Sequence, residues 1–282
     1  KINCRHYSVL LNFILPRKVC LFIDLIIAFS LWVGLGVMLT ASATLLKSHL
    51  NISLYLGFIL TGLLVFFCLQ FGSRGLMNTN TILVPILIIL AIGSSLIYIY
   101  GPIECSAENV FFKTLLPNWW TASMLYVAYN MILGMVVLAS LKDDIEKMTS
   151  WGGVIGGLIL GVMALVMVKG LQLLPQNLFN SQMPMLALTA QISPIAGNIY
   201  AFGLWIALFT TALANAHSLT NRVSSLFRKS YKLFLLIILL TTLVFIPWQF
   251  STLVGLLYPV EGYLAIPVII AIVVAGFLIL IE

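Results

Sequence analysis

Ser123, Tyr126 and Asn130, with Tyr129 beside them, are the residues best placed to bind a polar ligand in an otherwise apolar chain. Positions three and four apart share a helix face, so Ser123, Tyr126, Asn130 and Gly134 form one stripe of hydroxyl, phenol and amide groups. Hydrocarbon offers such a stripe no hydrogen bonds. Either it bonds to a neighbouring helix, or the helix is broken near Tyr129 and Asn130 and the freed backbone coordinates a solute. Thr210, Thr211 and Asn215 form a second set. Their oxygens suit a hard cation such as sodium, although threonine hydroxyls also bond back to the carbonyl one turn earlier. Asp24 stands a turn or two inside the first apolar segment, near Arg17 and Lys18; a charge inside hydrocarbon is a functional suspect, and the alternative is an interfacial carboxylate paired with those bases.

Catalytic constellations are absent. The chain has no HExxH, GxSxG or P-loop string and no paired intramembrane aspartates, so no catalytic residue is expected and an enzyme is disfavoured. Cys4, Cys20, Cys68 and Cys105 lack metal-ligand spacing, so neither a metal site nor a disulfide framework is expected. His217 has no obvious acid or nucleophile beside it in sequence.

The elements that must carry these groups follow from composition. Of 282 residues, 62% are hydrophobic and 8% charged, against roughly 25% charged in a soluble domain. The solvent for most of the chain is therefore lipid. A spanning helix needs about 20 apolar residues, and eight stretches qualify: 19–46, 52–71, 81–100, 119–141, 151–167, 199–218, 233–253 and 263–281. They predict an all-α, polytopic transmembrane bundle preceded by a cytoplasmic segment at residues 1–18. Continuous apolar runs, rather than alternating segments of about ten residues, argue against a β-barrel. The seven later spans carry no acidic or basic residue at their centres. Gly152, Gly153, Gly156, Gly157 and Gly161 give the fifth span a small-residue face suited to close helix packing.

The net charge of +6 does not imply nucleic acid, because in a membrane chain the positions of Lys and Arg matter more than their sum. With residues 1–18 inside, eleven of the fourteen basic residues fall on the cytoplasmic side and only Lys47, Lys113 and Lys169 outside. Both ends of the chain are then cytoplasmic, and the expected partners are the lipid bilayer and a small solute. Two longer outer loops result, 101–118 and 169–198. The apolar run at residues 183–192 predicts a short surface helix or lid in the second.

Particular strings add to this reading. VMLTASATLL, NTILVP, MLYVAYN, FTTALA and GLLYPVEGYLAI resemble the YkvI family of bacterial membrane proteins. That family in turn resembles the amino acid-polyamine-organocation superfamily, with the five-plus-five inverted repeat of the leucine-transporter-like fold. The resemblance implies that the eight spans correspond to helices 3 to 10 of that fold, with the first two absent from this sequence. It implies a discontinuous helix around Tyr126 to Asn130, and cation-ligating hydroxyls at Thr210 and Thr211, or Asn215 in another register. The expected function is a secondary transporter of the cell membrane for a small zwitterionic or neutral, amino-acid-like solute. It needs no cofactor and is compatible with sodium or proton coupling. The rival is a sensor or accessory subunit that uses the same fold as a scaffold.

This topology predicts that single cysteines placed at 101–118 or 169–198 react with an impermeant reagent in sealed cells, whereas those at 141–150 or 219–232 do not. Labelling of the second pair would overturn the arrangement.

Overall fold

Uninterrupted apolar sequence gives helices here, and the breaks fall where capping residues or chain reversals interrupt it. A computed structural model describes residues 16–70, 74–101, 118–140, 151–227 and 230–281, and every regular element among them is helical. In chain order these are α1 (Arg17–Leu50), α2 (Leu54–Gln70), α3 (Arg74–Tyr100), α4 (Trp119–Ser140) and α5 (Trp151–Gln172). They continue as α6 (Gln176–Phe179), α7 (Pro184–Ile192), α8 (Pro194–Phe227), α9 (Tyr231–Thr241) with a 3₁₀ turn at Thr242–Phe245, and α10 (Phe250–Ile281). Most of the N-terminal segment, the loop at 102–117, Cys4 and Cys105 lie outside the described residues.

Helix ends are set locally. Asn51 adopts the left-handed conformation that closes α1 (φ 53°). The Asn118 side chain accepts from the Thr121 N–H at 2.9 Å and so caps α4. Ser193 caps α8 by accepting from the Ala196 N–H at 3.1 Å, and Pro194 follows as the first helical residue.

Among the described residues, four helices are long and apolar enough to cross a membrane: α1, α5, α8 and the part of α10 from Phe250 to Val274. Three shorter apolar helices lie at Leu54–Gln70, Val84–Tyr100 and Tyr231–Phe245. The core is built on α1, 61% of whose most apolar stretch is buried, against 6% for α5. Ile27, Leu31, Leu35 and Leu39 of α1 meet Phe58 and Val65 of α2 and Leu213 and Ala216 of α8 in the largest cluster of buried side chains. A second cluster gathers Tyr98 of α3, Leu188 of α7, and Tyr200 and Leu208 of α8.

Several expectations change. The stretch 233–253 is not one helix: it ends in the 3₁₀ turn at Phe245, and Leu253 already belongs to α10. The last helix therefore starts at Phe250 rather than at residue 263, and encloses Pro259, Pro267 and Glu261. Neighbouring helices in an apolar bundle let prolines sit inside a helix, so the proline here does not mark a boundary. Helix α4 runs without interruption through Tyr129 and Asn130, which removes the expected break. A Cβ added at Gly152, Gly153, Gly156, Gly157 or Gly161 would meet nothing within 4 Å, so the glycine face of α5 points away from the described helices. The surface helix expected at 183–192 is present as α7, with Met185, Leu186 and Leu188 buried beneath it.

Among the glycines of the described residues, Gly262 of α10 is the one set closest against the backbone of another helix, α4. A Cβ on Gly262 would lie 2.7 Å from Leu125 Cβ and 2.9 Å from its Cα and carbonyl oxygen. Gly262→Ala is expected to cost about 1–3 kcal/mol by overpacking, read as a lower unfolding temperature in detergent. Gly157→Ala, facing open space, should be neutral or stabilising by up to ~1 kcal/mol.

Candidate functional site

Three polar loci interrupt the apolar bundle, and each is positioned by a different pair of helices. The first lies at the C-terminal end of α1. There a cavity of about 640 Å³ is bounded by Lys47 and His49 of α1, Gln182 before α7, and Trp248 and Gln249 before α10. Gln182 organises one wall. Its amide donates to Gln249 Oε1 at 3.1 Å, and its own carbonyl accepts from the Ser251 N–H at 3.0 Å. The residues bounding the cavity include a lysine and a histidine but no Asp or Glu. Ser181 Oγ, also at its border, is buried and has no hydrogen-bond partner among the described residues.

The second locus lies at the opposite end of α1. Arg222 of α8 holds Asp24 in a forked ion pair, Nε donating to Oδ1 at 2.7 Å and Oδ2 at 2.9 Å, while Nη2 contacts Oδ2. Such a fork matches guanidinium to carboxylate geometry. One turn earlier on α8, His217 lies 3.1 Å from the Tyr231 hydroxyl of α9, and Asn221 is 2.9 Å from the other imidazole nitrogen. Together these contacts tie α1, α8 and α9. Asp24 and Lys47 are 23 positions apart, so a helix rise of 1.5 Å puts the two loci about 35 Å apart.

The third locus is the α4 and α10 crossing. Glu261 is 1% exposed, and neither of its carboxylate oxygens has a hydrogen-bond partner among the described residues. Tyr258, one turn earlier on α10, packs its ring 4.8 Å from that of Tyr129 on α4. Both tyrosines lie within electrostatic reach of Glu261. Gly262 against Leu125 closes the other side.

Among curated proteins the chain is similar to YkvI, an uncharacterized membrane protein of Bacillus subtilis (strain 168). They are 24% identical over 271 residues, covering 94% of this chain and 77% of YkvI. YyaD of the same organism is 22% identical over 267 residues, with the same coverage of each chain. The chain is a homologue of these two proteins. With its apolar helices, this makes it an integral membrane protein. No protein-family signature and no solved structure matches it.

The residues singled out from sequence do not converge. Ser123, Tyr126 and Asn130 all face outward from α4, Tyr126 being 62% exposed. The Ser123 hydroxyl donates to the Trp119 carbonyl at 2.9 Å and the Asn130 amide to the Tyr126 carbonyl at 2.8 Å, so both turn back onto their own helix. Tyr129 alone of that group reaches another helix, through Tyr258. On α8, Thr210 and Thr211 both donate to the Ala207 carbonyl, at 3.1 and 2.8 Å. Asn215 is buried against Gly34 of α1, its Nδ2 only 2.8 Å from where a Cβ on that glycine would lie. Among the described residues, no hydrogen bond or ring contact joins the α4 stripe to the α8 group.

Two assignments are corrected. Asp24 pairs with Arg222, 198 positions away, and not with Arg17 or Lys18. The later helices do carry a central acid, Glu261. The string YPVEGY hid it, because Pro259 and Gly262 read as the end of a loop. The available signal was the apolar sequence on both sides, which makes any acid between them a suspect.

Breaking the ion pair leaves a mostly buried charge without its counterpart. Asp24→Asn is expected to destabilise by on the order of 3 kcal/mol. Asp24→Asn combined with Arg222→Gln should cost less than the sum of the single changes, as measured by thermal unfolding in detergent.

Proposed function

We propose that this chain is the helical bundle of a secondary transporter for a small zwitterionic or neutral, amino-acid-like solute, working by alternating access. The observation that carries the reading is the contrast between the two ends of α1. One end opens into a cavity of about 640 Å³, a size that suits small-molecule ligands. The other is drawn together by Asp24 with Arg222 and by His217 with Tyr231. A carrier must present a path to one side while it is sealed on the other, and a bundle latched at a single end has that asymmetry.

The chemistry of the cavity supports the substrate class. Lys47 provides a positive charge for a carboxylate, while Gln182 and Gln249 provide neutral donors and acceptors. The α4 stripe of Ser123, Tyr126, Tyr129 and Asn130, which turns outward from the described helices except at Tyr129, is the proposed solute-contacting face. Its side chains are exposed or half-buried, so they are accessible to a ligand. Thr210, Thr211 and Asn215 are the proposed oxygens for a coupling cation. In this reading the helices correspond to helices 3 to 10 of the leucine-transporter-like fold. The protein resides in the bacterial cell membrane with both ends of this chain cytoplasmic and the cavity facing out. It performs transport, not catalysis.

Reconstitution into sealed vesicles tests this. Radiolabelled neutral amino acids should accumulate under an imposed sodium or proton gradient, and Lys47→Met with Gln182→Ala should lower the rate about tenfold, as expected for the loss of about 1.4 kcal/mol of interaction. Folded protein that accumulates none of them under either gradient would favour the sensor or accessory-subunit reading instead.

A further inference from the structure

Glu261 is the group this bundle leaves least explained. Hydrocarbon and tightly packed apolar side chains offer a carboxylate nothing, and an isolated buried charge costs several kcal/mol or more unless it is neutralised. Elsewhere the chain meets this constraint with the Asp24 and Arg222 fork. At Glu261 both oxygens are buried and unpartnered.

The surroundings limit what can neutralise it. Facing Glu261 from α4 is Tyr129, whose ring packs 5.5 Å from that of the outward-pointing Tyr126. From α10 comes Tyr258. Helix α1, also packed on α10, contributes Val33 and Val37 to the neighbouring apolar cluster, and among the described residues no titratable group of α1 acts on Glu261. Two phenols and one carboxylate are too few oxygens for a calcium- or magnesium-like ion, which takes six or more. Among the described residues, no group of three His, Cys, Asp or Glu could hold a metal. A proton needs only one oxygen.

We infer that Glu261 is a reversible proton-binding site at the α4 and α10 crossing. A water-delivered proton adds to one carboxylate oxygen and gives the neutral carboxyl; its departure to water restores the anion, with no other bond made or broken. The group lies eleven residues into α10, about 17 Å along the helix from its start beside Gln249 at the cavity wall. Between the two lies the apolar plug of Val33, Val37, Phe245 and Leu253, with Leu257 and Tyr258 partly buried against it. Exchange with water by way of the cavity requires the plug to part, which links proton occupancy by that route to the movement of α10 against α1 and α4. The site stands on its own geometry; its role as the coupling site for uptake rests on the transport reading above.

Infrared difference spectroscopy of the purified protein in lipid nanodiscs, recorded across a pH titration, tests the site without any substrate. We expect a protonated-carboxyl band that shifts in heavy water, titrates with pH, and is lost in Glu261→Gln. Glu261→Asp, which keeps the carboxyl, should retain a titrating band at a shifted frequency, and it guards against misfolding of the glutamine variant. Spectra in which the wild type and both variants are indistinguishable at every pH would overturn the proposal. So would a band removed by sodium at constant pH, which would mark a cation site. In vesicles, uptake driven by a pH gradient should fall to the leak level in Glu261→Gln, and uptake that keeps its full gradient dependence in that variant would remove the coupling role. A wild-type protein with the Glu261 band but no uptake would sink the transport reading and leave the proton site standing.

Discussion

Lipid accepts no hydrogen bonds, and nearly every polar feature of this bundle follows from that constraint. Most hydroxyls on these helices find the nearest acceptor within the protein, the carbonyl one turn back, although Ser42 Oγ and Thr220 Oγ1 are buried with no partner among the described residues. Thr40 donates to Gly36, Thr44 to Thr40, Thr61 to Gly57 and Ser95 to Ala91, each within its own helix. Thr210, Thr211 and Ser123 do the same. These groups are satisfied before any neighbour approaches, so helix association rests mainly on shape. Small residues set the closest approaches: Gly57 lies on Ala43, Gly197 on Ala190 and Gly262 on Leu125. Trp32 is an exception, its indole donating to the Thr241 hydroxyl at 3.0 Å, where α1 meets the end of α9.

Against that background, polar contacts between distant segments are concentrated at the two ends of α1. At one, the forked ion pair and the imidazole and phenol contact join α1 to α8 and α8 to α9. At the other, Gln182 connects the segment before α7 to the start of α10. The middle is held by dispersion and close packing. Interactions of that kind tolerate small rotations of one helix against another more readily than a fixed hydrogen-bond network would.

Glu261 breaks the pattern as a carboxylate, since it is ionisable, central and unpartnered among the described residues. Its place beside Gly262 ties its charge state to a close backbone crossing of α10 on α4. Natural proteins tend to violate local rules of polar satisfaction at functional positions.

Hydropathy in the sequence determined that the chain is helical and where most of its helices lie, because an apolar run of sufficient length in lipid has little alternative to closing its own backbone hydrogen bonds. It also located α7, from the apolar run at residues 183–192. It could not determine which face of each helix turns inward. Lipid and protein interior are about equally apolar, so a spanning helix carries little of the hydrophobic contrast that orients a helix in a soluble protein. Hence the polar stripe of α4 could be recognised, but only packing showed that Leu125, Ala128 and Ile132 form its buried face while Ser123, Tyr126 and Asn130 point outward. Likewise, an acid near Arg17 and Lys18 suggested local pairing, and only the antiparallel course of α1 and α8 brought Arg222 to Asp24. Glu261 was visible as a residue but not as a buried one. Its burial depends on α10 continuing through Pro259 and Gly262, which the neighbouring helix α4 makes possible and no local property of the sequence specifies.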